Sequence, residues 1–203
     1  MLEKVTAFVL RKLASGQEIL LFEHPTAGIQ FPAGTVKPGE TPQVAVLREA
    51  AEETGLSDVV IEAFLDHEDA LLPENQTIVL HPTTVFSRPD AGSFDWARLE
   101  SGTWVKALRR QNGYTQVSFE EPDRLPNPTY TTYQITGWVP DEVLTRRQRR
   151  HFFLLRFSGS TPPTWKVNAD HHTFRLFWTP LDEIPELIAP QDQWLGYLTR
   201  HLG

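Results

Sequence analysis

The 203-residue chain has no cysteine, so neither a disulfide framework nor a cysteine-ligated zinc site can form, and an intracellular, cytoplasmic setting is the expectation. It also lacks a long apolar run. Residues 1–12 hold too short a hydrophobic stretch for a signal peptide or a membrane span, so no membrane role is expected. A basic excess is missing as well: 26 acidic residues stand against 19 lysines and arginines, for a formal net charge of -7, which argues against nucleic acid as the main partner. No repeat or low-complexity tract is visible. What the chain does have is 16 prolines and six tryptophans, the composition of a loop-rich protein with a substantial aromatic complement.

The most informative stretch lies near residue 50. Thr41 is a good N-cap and Pro42 suits the first helical position, where its missing N–H costs nothing. The helix should run to Thr54 and stop at Gly55, which can take the left-handed conformation of a C-cap. At about 100° per residue, Glu49, Glu52 and Glu53 share one narrow arc, with Val44, Leu47 and Ala51 clustered opposite as the expected core face. Three carboxylates at i, i+3 and i+4 repel one another, and a cation among them relieves that repulsion. Oxygen donors of this kind suit Mg²⁺, with Mn²⁺ also acceptable. The plainer alternative is a solvated acidic face. The glycine spacing, the cap, Arg48 and the apolar pattern agree on the metal site instead.

Residues 34–56 match position by position the box G-x5-E-x7-R-E-U-x-E-E-x-G-U of the Nudix hydrolases. Gly34, Glu40, Arg48, Glu49, Glu52, Glu53 and Gly55 fill its fixed positions, and Ala50 and Leu56 its apolar slots. Resemblance to that family implies Mg²⁺-assisted hydrolysis of a nucleoside diphosphate linked to another moiety, by attack of water on phosphorus. By matched position, Glu52 and Glu53 are the main metal ligands and Glu49 is a further ligand or the base. The Gly34 carbonyl adds an oxygen, Arg48 ion-pairs with a box glutamate, and Glu40 supports the loop.

The implied fold is α/β, a Nudix-type α/β/α sandwich built from residues 1–83 and 145–203. Strands are expected at residues 5–10, 18–22, 59–65, 151–157 and 173–178, and helices at 181–188 and 191–202, the last with Leu195, Leu198 and Leu202 at helical spacing. The connection between the third and fourth of those strands is too long for a loop, so residues 84–144 should form an inserted small all-β, barrel-like module. Asn112-Gly113 signals a hairpin there. The segment 99–108, the Asn112-Gly113-Tyr114 turn and Gly137-Trp138-Val139 resemble a bacterial Src-homology-3-type barrel, with a longer excursion at 120–134. A β-rich lid or dimerisation arm is the alternative, and a homodimer stays open.

Outside the box, Asp170 is the first candidate for a further catalytic group and His171 the second, because they precede the last expected core strand; a polar turn is the bland alternative. Arg146, Arg147, Arg149 and Arg150 form a basic cluster, of which Arg147 and Arg150 are the candidates to hold a second substrate phosphate. Trp96, Trp104, Tyr114 and Trp138 could stack a base, though core packing is the commoner use. Glu120 and Glu121 rank below the Asp170 loop. The leading function is a pyrophosphohydrolase acting on a nucleotide-type small molecule. The competing one is a catalytically weak binding or regulatory module on the same fold. ADP-ribose, a nucleoside di- or triphosphate, a dinucleotide polyphosphate and a nucleotide sugar all remain open as substrates.

Overall fold

The computed structural model describes every residue except 15, 126, 170 and 171. In chain order it contains β1 (Leu2–Leu13), β2 (Gly16–His24), β3 (Gly28–Gln30), β4 (Ala33–Thr35), α1 (Pro42–Thr54), β5 (Val59–Leu71), β6 (Gln76–Val79), β7 (Thr83–Phe86) and β8 (Asp95–Leu99). There follow β9 (Trp104–Gln111), β10 (Tyr114–Pro122), β11 (Thr131–Pro140), a 3-10 turn (Asp141–Val143), β12 (Leu144–Thr145), β13 (Arg147–Phe157), β14 (Thr164–Ala169), β15 (His172–Pro180) and α2 (Gln191–Leu202). The elements make two compact units, one of residues 3–68 and 150–203, the other of residues 1–2 and 69–149.

In the first unit the strand order is β14-β15-β2-β1-β13-β5, with β3 added beside β2 and β4 beside β1. Successive side chains of a strand point to opposite faces, and here the two faces carry different helices. Val5, Ala7 and Val9 of β1 pack with Ala45, Val46 and Ala50 of α1. Phe8 and Leu10 of the same strand pack with Trp194 and Leu198 of α2. β13 divides likewise, with Phe153 and Leu155 on the α1 side and Phe152 and Leu154 on the α2 side. A sheet covered by one helix on each face is the expected α/β/α sandwich. Each fully buried Phe or Leu of this kind contributes roughly 1.5–3 kcal/mol.

One expected element is absent. Residues 181–188 form no helix. Pro185 removes a backbone donor from the middle of the span, and Ile188 N–H donates to the Ile29 carbonyl at 3.0 Å, latching the segment to β3. Its apolar residues are core-facing nonetheless, since Leu187 is buried and Ile184 packs against the same cluster. Among the described residues no helix is long and apolar enough to cross a membrane.

The second unit is a seven-stranded sheet in the order β12-β6-β9-β10-β11-β7-β8, consistent with a barrel-like β module. The β9–β10 hairpin turns on Asn112 and Gly113, with φ of 53° and 77°, the two positive values that a two-residue type I′ turn requires. Gly137 allows β11 to approach β7, because a Cβ there would collide with Val85 and lie 2.9 Å from the Phe86 carbonyl oxygen. Val79, Val85, Val105, Val117, Ile135 and Val139 form its core. The unit is wider than the 84–144 span expected from sequence. β6 pairs with both β9 and β12, which brings residues on either side of that span into the same sheet.

Candidate active site

Helix α1 is bounded as its sequence dictates. The Thr41 hydroxyl accepts from Val44 N–H at 3.3 Å, Pro42 opens the first turn, and Gly55 closes the helix in the left-handed region at φ 72°, its N–H donating to Ala51. Its buried face differs from expectation. Val44 is 54% exposed and Ala51 is exposed too, whereas Ala45, Val46, Ala50 and Glu53 are buried. At about 100° per residue, the small apolar residues and Glu49 and Glu53 occupy one continuous arc. The carboxylates therefore sit at the edge of the core, against β4, and do not face away from it.

What lets carboxylates sit there is Arg48. All five of its N–H donors are used. Nε and Nη2 form a fork onto Glu40 at 2.7 and 2.9 Å, Nη2 also donates to the Thr35 carbonyl at 3.0 Å, and Nη1 donates to Glu49 at 2.7 Å and Glu52 at 3.0 Å. The hydrogen bonds from Arg48 pull the Glu40 carboxyl down to about 2, and the same bonds to Glu40, first of all, raise Arg48 above its ordinary value. Glu40 in turn accepts from the Lys37 N–H at 2.9 Å, so it ties the loop ahead of the helix to the helix itself.

The three helical glutamates have separate environments. Burial raises Glu49 above the ordinary carboxylate value, and the hydrogen bond from Arg48 opposes that shift. Its carboxylate lies against Gly34 of β4, where any Cβ would overlap it. Glu53, buried at 6% exposure, accepts the Ala33 N–H at 2.8 Å. Glu52 is half exposed and lies 3.7 Å from the Lys37 ammonium. Thus β4 and α1 together bring Gly34, Glu40, Arg48, Glu49, Glu52 and Glu53 to one place.

Among the described residues, no three His, Asp or Glu side chains stand as a ready metal cluster. The donor chemistry nevertheless fits a hard divalent cation, since carboxylate oxygens dominate and the glutamates outnumber the cations among them. In this arrangement the Arg48 guanidinium supplies the counter-charge to Glu49 and Glu52, and a backbone N–H holds Glu53.

A lysine that the sequence did not single out belongs to the same surroundings. Lys4 of β1 pairs in register with Thr35, next to Gly34. Burial above all, and then the charge of Arg150, bring its pKa from 10.5 down to about 8 against the opposing charge of Glu49. Arg150 of β13 donates to the Thr6 hydroxyl at 2.9 Å and lies 4.2 Å from the Trp194 ring centroid; burial lowers it to about 10. Strand register, which only the fold reveals, brings Lys4 there.

The remaining candidates are dispersed. Arg147 is exposed, Arg146 donates to the Leu72 carbonyl, and Arg149 forms a fork onto Asp69 at 2.6 and 2.7 Å, all within the second unit. Asp170 and His171 lie outside the described residues. Glu120 pairs with Lys106 at 3.4 Å. Of the four aromatics, Trp138 is buried, Trp96 and Trp104 are nearly half exposed, and Tyr114 packs edge-on to Phe86.

Residues 2–95 match the NUDIX domain family. An Ap4A hydrolase of C. elegans, in a binary complex, superposes with a TM-score of 0.50 at 14% identity, over 100% of this chain and 98% of that one, and so has the same fold. The NUDIX domain of Shewanella oneidensis NrtR, complexed with ADP ribose, matches with a TM-score of 0.47 at 13% identity, over 100% of this chain and 89% of that one. No curated protein sequence matches the chain.

Proposed function

We propose, for a chain whose residues 2–95 match the NUDIX domain family and whose fold is shared with an Ap4A hydrolase, that it cleaves a phosphoanhydride bond in a nucleoside diphosphate linked to another moiety, by attack of water on phosphorus. The observation that carries this reading is Arg48 with all five donors engaged, which holds Glu40, Glu49 and Glu52 in one orientation beside Glu53. So many aligned carboxylates at the edge of a core are costly to keep without a use.

Glu49, Glu52 and Glu53, with the Gly34 carbonyl, are the groups that would hold Mg²⁺ or Mn²⁺. When bound, such an ion neutralises phosphate charge and makes a water easier to deprotonate. Glu49 is the carboxylate best suited to accept that proton, because burial already raises its proton affinity. Arg48 fixes Glu49 in position, and Glu40 fixes Arg48. Lys4 and Arg150 bring positive charge to the same unit, where it would favour a phosphate-bearing substrate. We assign the cytoplasm as the setting on the absence of cysteine.

The test is a panel of ADP-ribose, nucleoside di- and triphosphates, dinucleotide polyphosphates and nucleotide sugars, assayed with Mg²⁺ and with Mn²⁺ and with products identified. Release of a nucleoside monophosphate from at least one of them, abolished by EDTA, is the expected result. Binding of these compounds without turnover under either metal would replace the hydrolase reading with that of a binding module.

A further inference from the structure

The second unit contains a cleft of about 310 Å³, within the range of small-molecule sites. Its charge runs against that of the chain. Arg109, Arg110 and Arg146 line it with Glu74 as the one carboxylate among the described residues, in a protein whose net charge is -7. Thr115 also lines the cleft and its hydroxyl donates to Asp141 at 2.5 Å, so even with that carboxylate counted the cations are in excess.

Regular strand alternation would not send neighbouring side chains into one cleft. A β-bulge interrupts that alternation beside the cleft. Gln116 of β10 pairs with Arg109 while Val117 pairs with Ala107, leaving Leu108 as the extra residue of β9. Leu108, Arg109 and Arg110 are all exposed and all line the cleft. Bulges of this kind re-aim side chains and concentrate beside functional sites.

Two of the guanidiniums are held by neutral groups. Arg146 donates through Nε and Nη2 to the Leu72 carbonyl at 3.0 and 2.8 Å. Arg109 donates to the Gln116 side-chain oxygen at 2.9 Å and lies 5.0 Å from the Trp138 ring centroid. Each is oriented without being neutralised, so little further ordering is needed to bind an anion. Arg110 has no side-chain partner among the described residues.

We propose that this cleft is a second anion site that binds the phosphate groups of a small molecule, either a nucleotide or an inorganic polyphosphate. Forked guanidiniums match phosphate oxygens two at a time. A nucleic acid strand is disfavoured by the negative charge of the whole chain. The site does not depend on the reaction assigned to the glutamate cluster.

The experiment is amide NMR on the full chain, labelled with nitrogen-15, in EDTA so that no divalent cation recruits phosphate to the glutamates. Pyrophosphate, ATP and a ten-nucleotide single strand are titrated in turn at constant ionic strength. Saturable shifts at the cleft residues, 74, 107–110, 115 and 146, are expected with pyrophosphate, and Arg110→Glu should weaken them about tenfold or more. Arg110→Gln, which removes charge at an exposed position, repeats the measurement with less risk to the fold. Tighter binding of ATP than of pyrophosphate supports the nucleotide as ligand, and equal binding supports free polyphosphate. An absence of saturable shifts at the cleft residues, affinity there unchanged in both variants, or a preference for the single strand would overturn the proposal.

Discussion

Gly34 lies so close to Glu49 that a Cβ on the glycine would fall inside the glutamate carboxylate. The glycine is needed for that close approach, since β4 is otherwise ordinary strand paired to β1 through Val5. Gly34→Ala should therefore push aside the mobile end of Glu49 and leave the backbone in place. We expect a stability cost of about 1–3 kcal/mol and a loss of turnover of about 10²-fold from misplacement of the reacting group. Thermal unfolding and kcat measured on one preparation separate the two effects. Turnover equal to wild type would remove Glu49 from the chemistry.

Arg48→Lys keeps the charge but replaces a five-donor fork with one ammonium. Glu40, Glu49 and Glu52 cannot all be held by it, so kcat should fall while far-ultraviolet circular dichroism stays unchanged. A lysine variant with full activity would mean that charge alone, without the fork, orients the carboxylates.

Much of this site could be read from the sequence because its determinants are local. The cap at Thr41, the stop at Gly55 and the shared arc of Glu49, Glu52 and Glu53 each depend on neighbours a few residues away. The buried face of α1 departs from the spacing pattern because it depends on distant groups: Ala33 N–H and Gly34 make it tolerable for Glu53 and Glu49 to turn inward, and no spacing rule contains them. The apolar stretch at 181–188 has a helical look, yet Pro185 and the bond from Ile188 to Ile29 keep it out of a helix. The second unit began earlier than expected because β6 and β12 are only four and two residues long and signal little on their own. Lys4 could be placed at the site only once β1 was known to pair with β4.

Glu53→Gln preserves an oxygen for the Ala33 N–H and so should fold normally, while losing the negative charge offered to a cation. Turnover should drop by about 10²–10³-fold, the usual scale for removing a charge-stabilising group. Glu52→Gln, at a half-exposed position, should lose activity with no stability change at all. Wild-type turnover by the Glu53 variant, on a substrate that EDTA protects from cleavage, would contradict the assignment of metal ligands.

Glu40 makes stability depend on pH in a defined window. Its carboxyl falls from 4.5 to about 2 in the folded chain, chiefly through Arg48. The folded state then binds its proton less readily than the unfolded one, so the contribution is complete above pH 4.5 and disappears as pH falls toward 2. Urea unfolding of wild type and Glu40→Gln at pH 2, 3, 4.5 and 7 should show the wild type more stable at neutral pH and the difference closing across that range. A constant difference at all four values would mean that the pair contributes through shape and not charge.

Lys4 presents the opposite case. Burial and Arg150 bring its pKa from 10.5 to about 8, so between those values the unfolded chain holds a proton that the folded chain has released, and stability should rise with pH across that interval. Below pH 8 the folded protein carries a partly buried ammonium beside another cation at a net cost. Lys4→Met removes that cost while keeping the length of the side chain. It should raise the unfolding temperature at pH 7, and the gain should shrink from pH 8 upward and vanish near 10.5. If Lys4 also steadies the phosphate of a bound substrate, the same variant will be the more stable and less active protein, with kcat/KM lowered at pH 7. Full activity in the stabilised variant would show that the positive charge on β1 takes no part in substrate binding, leaving Arg150 as the cation to test next.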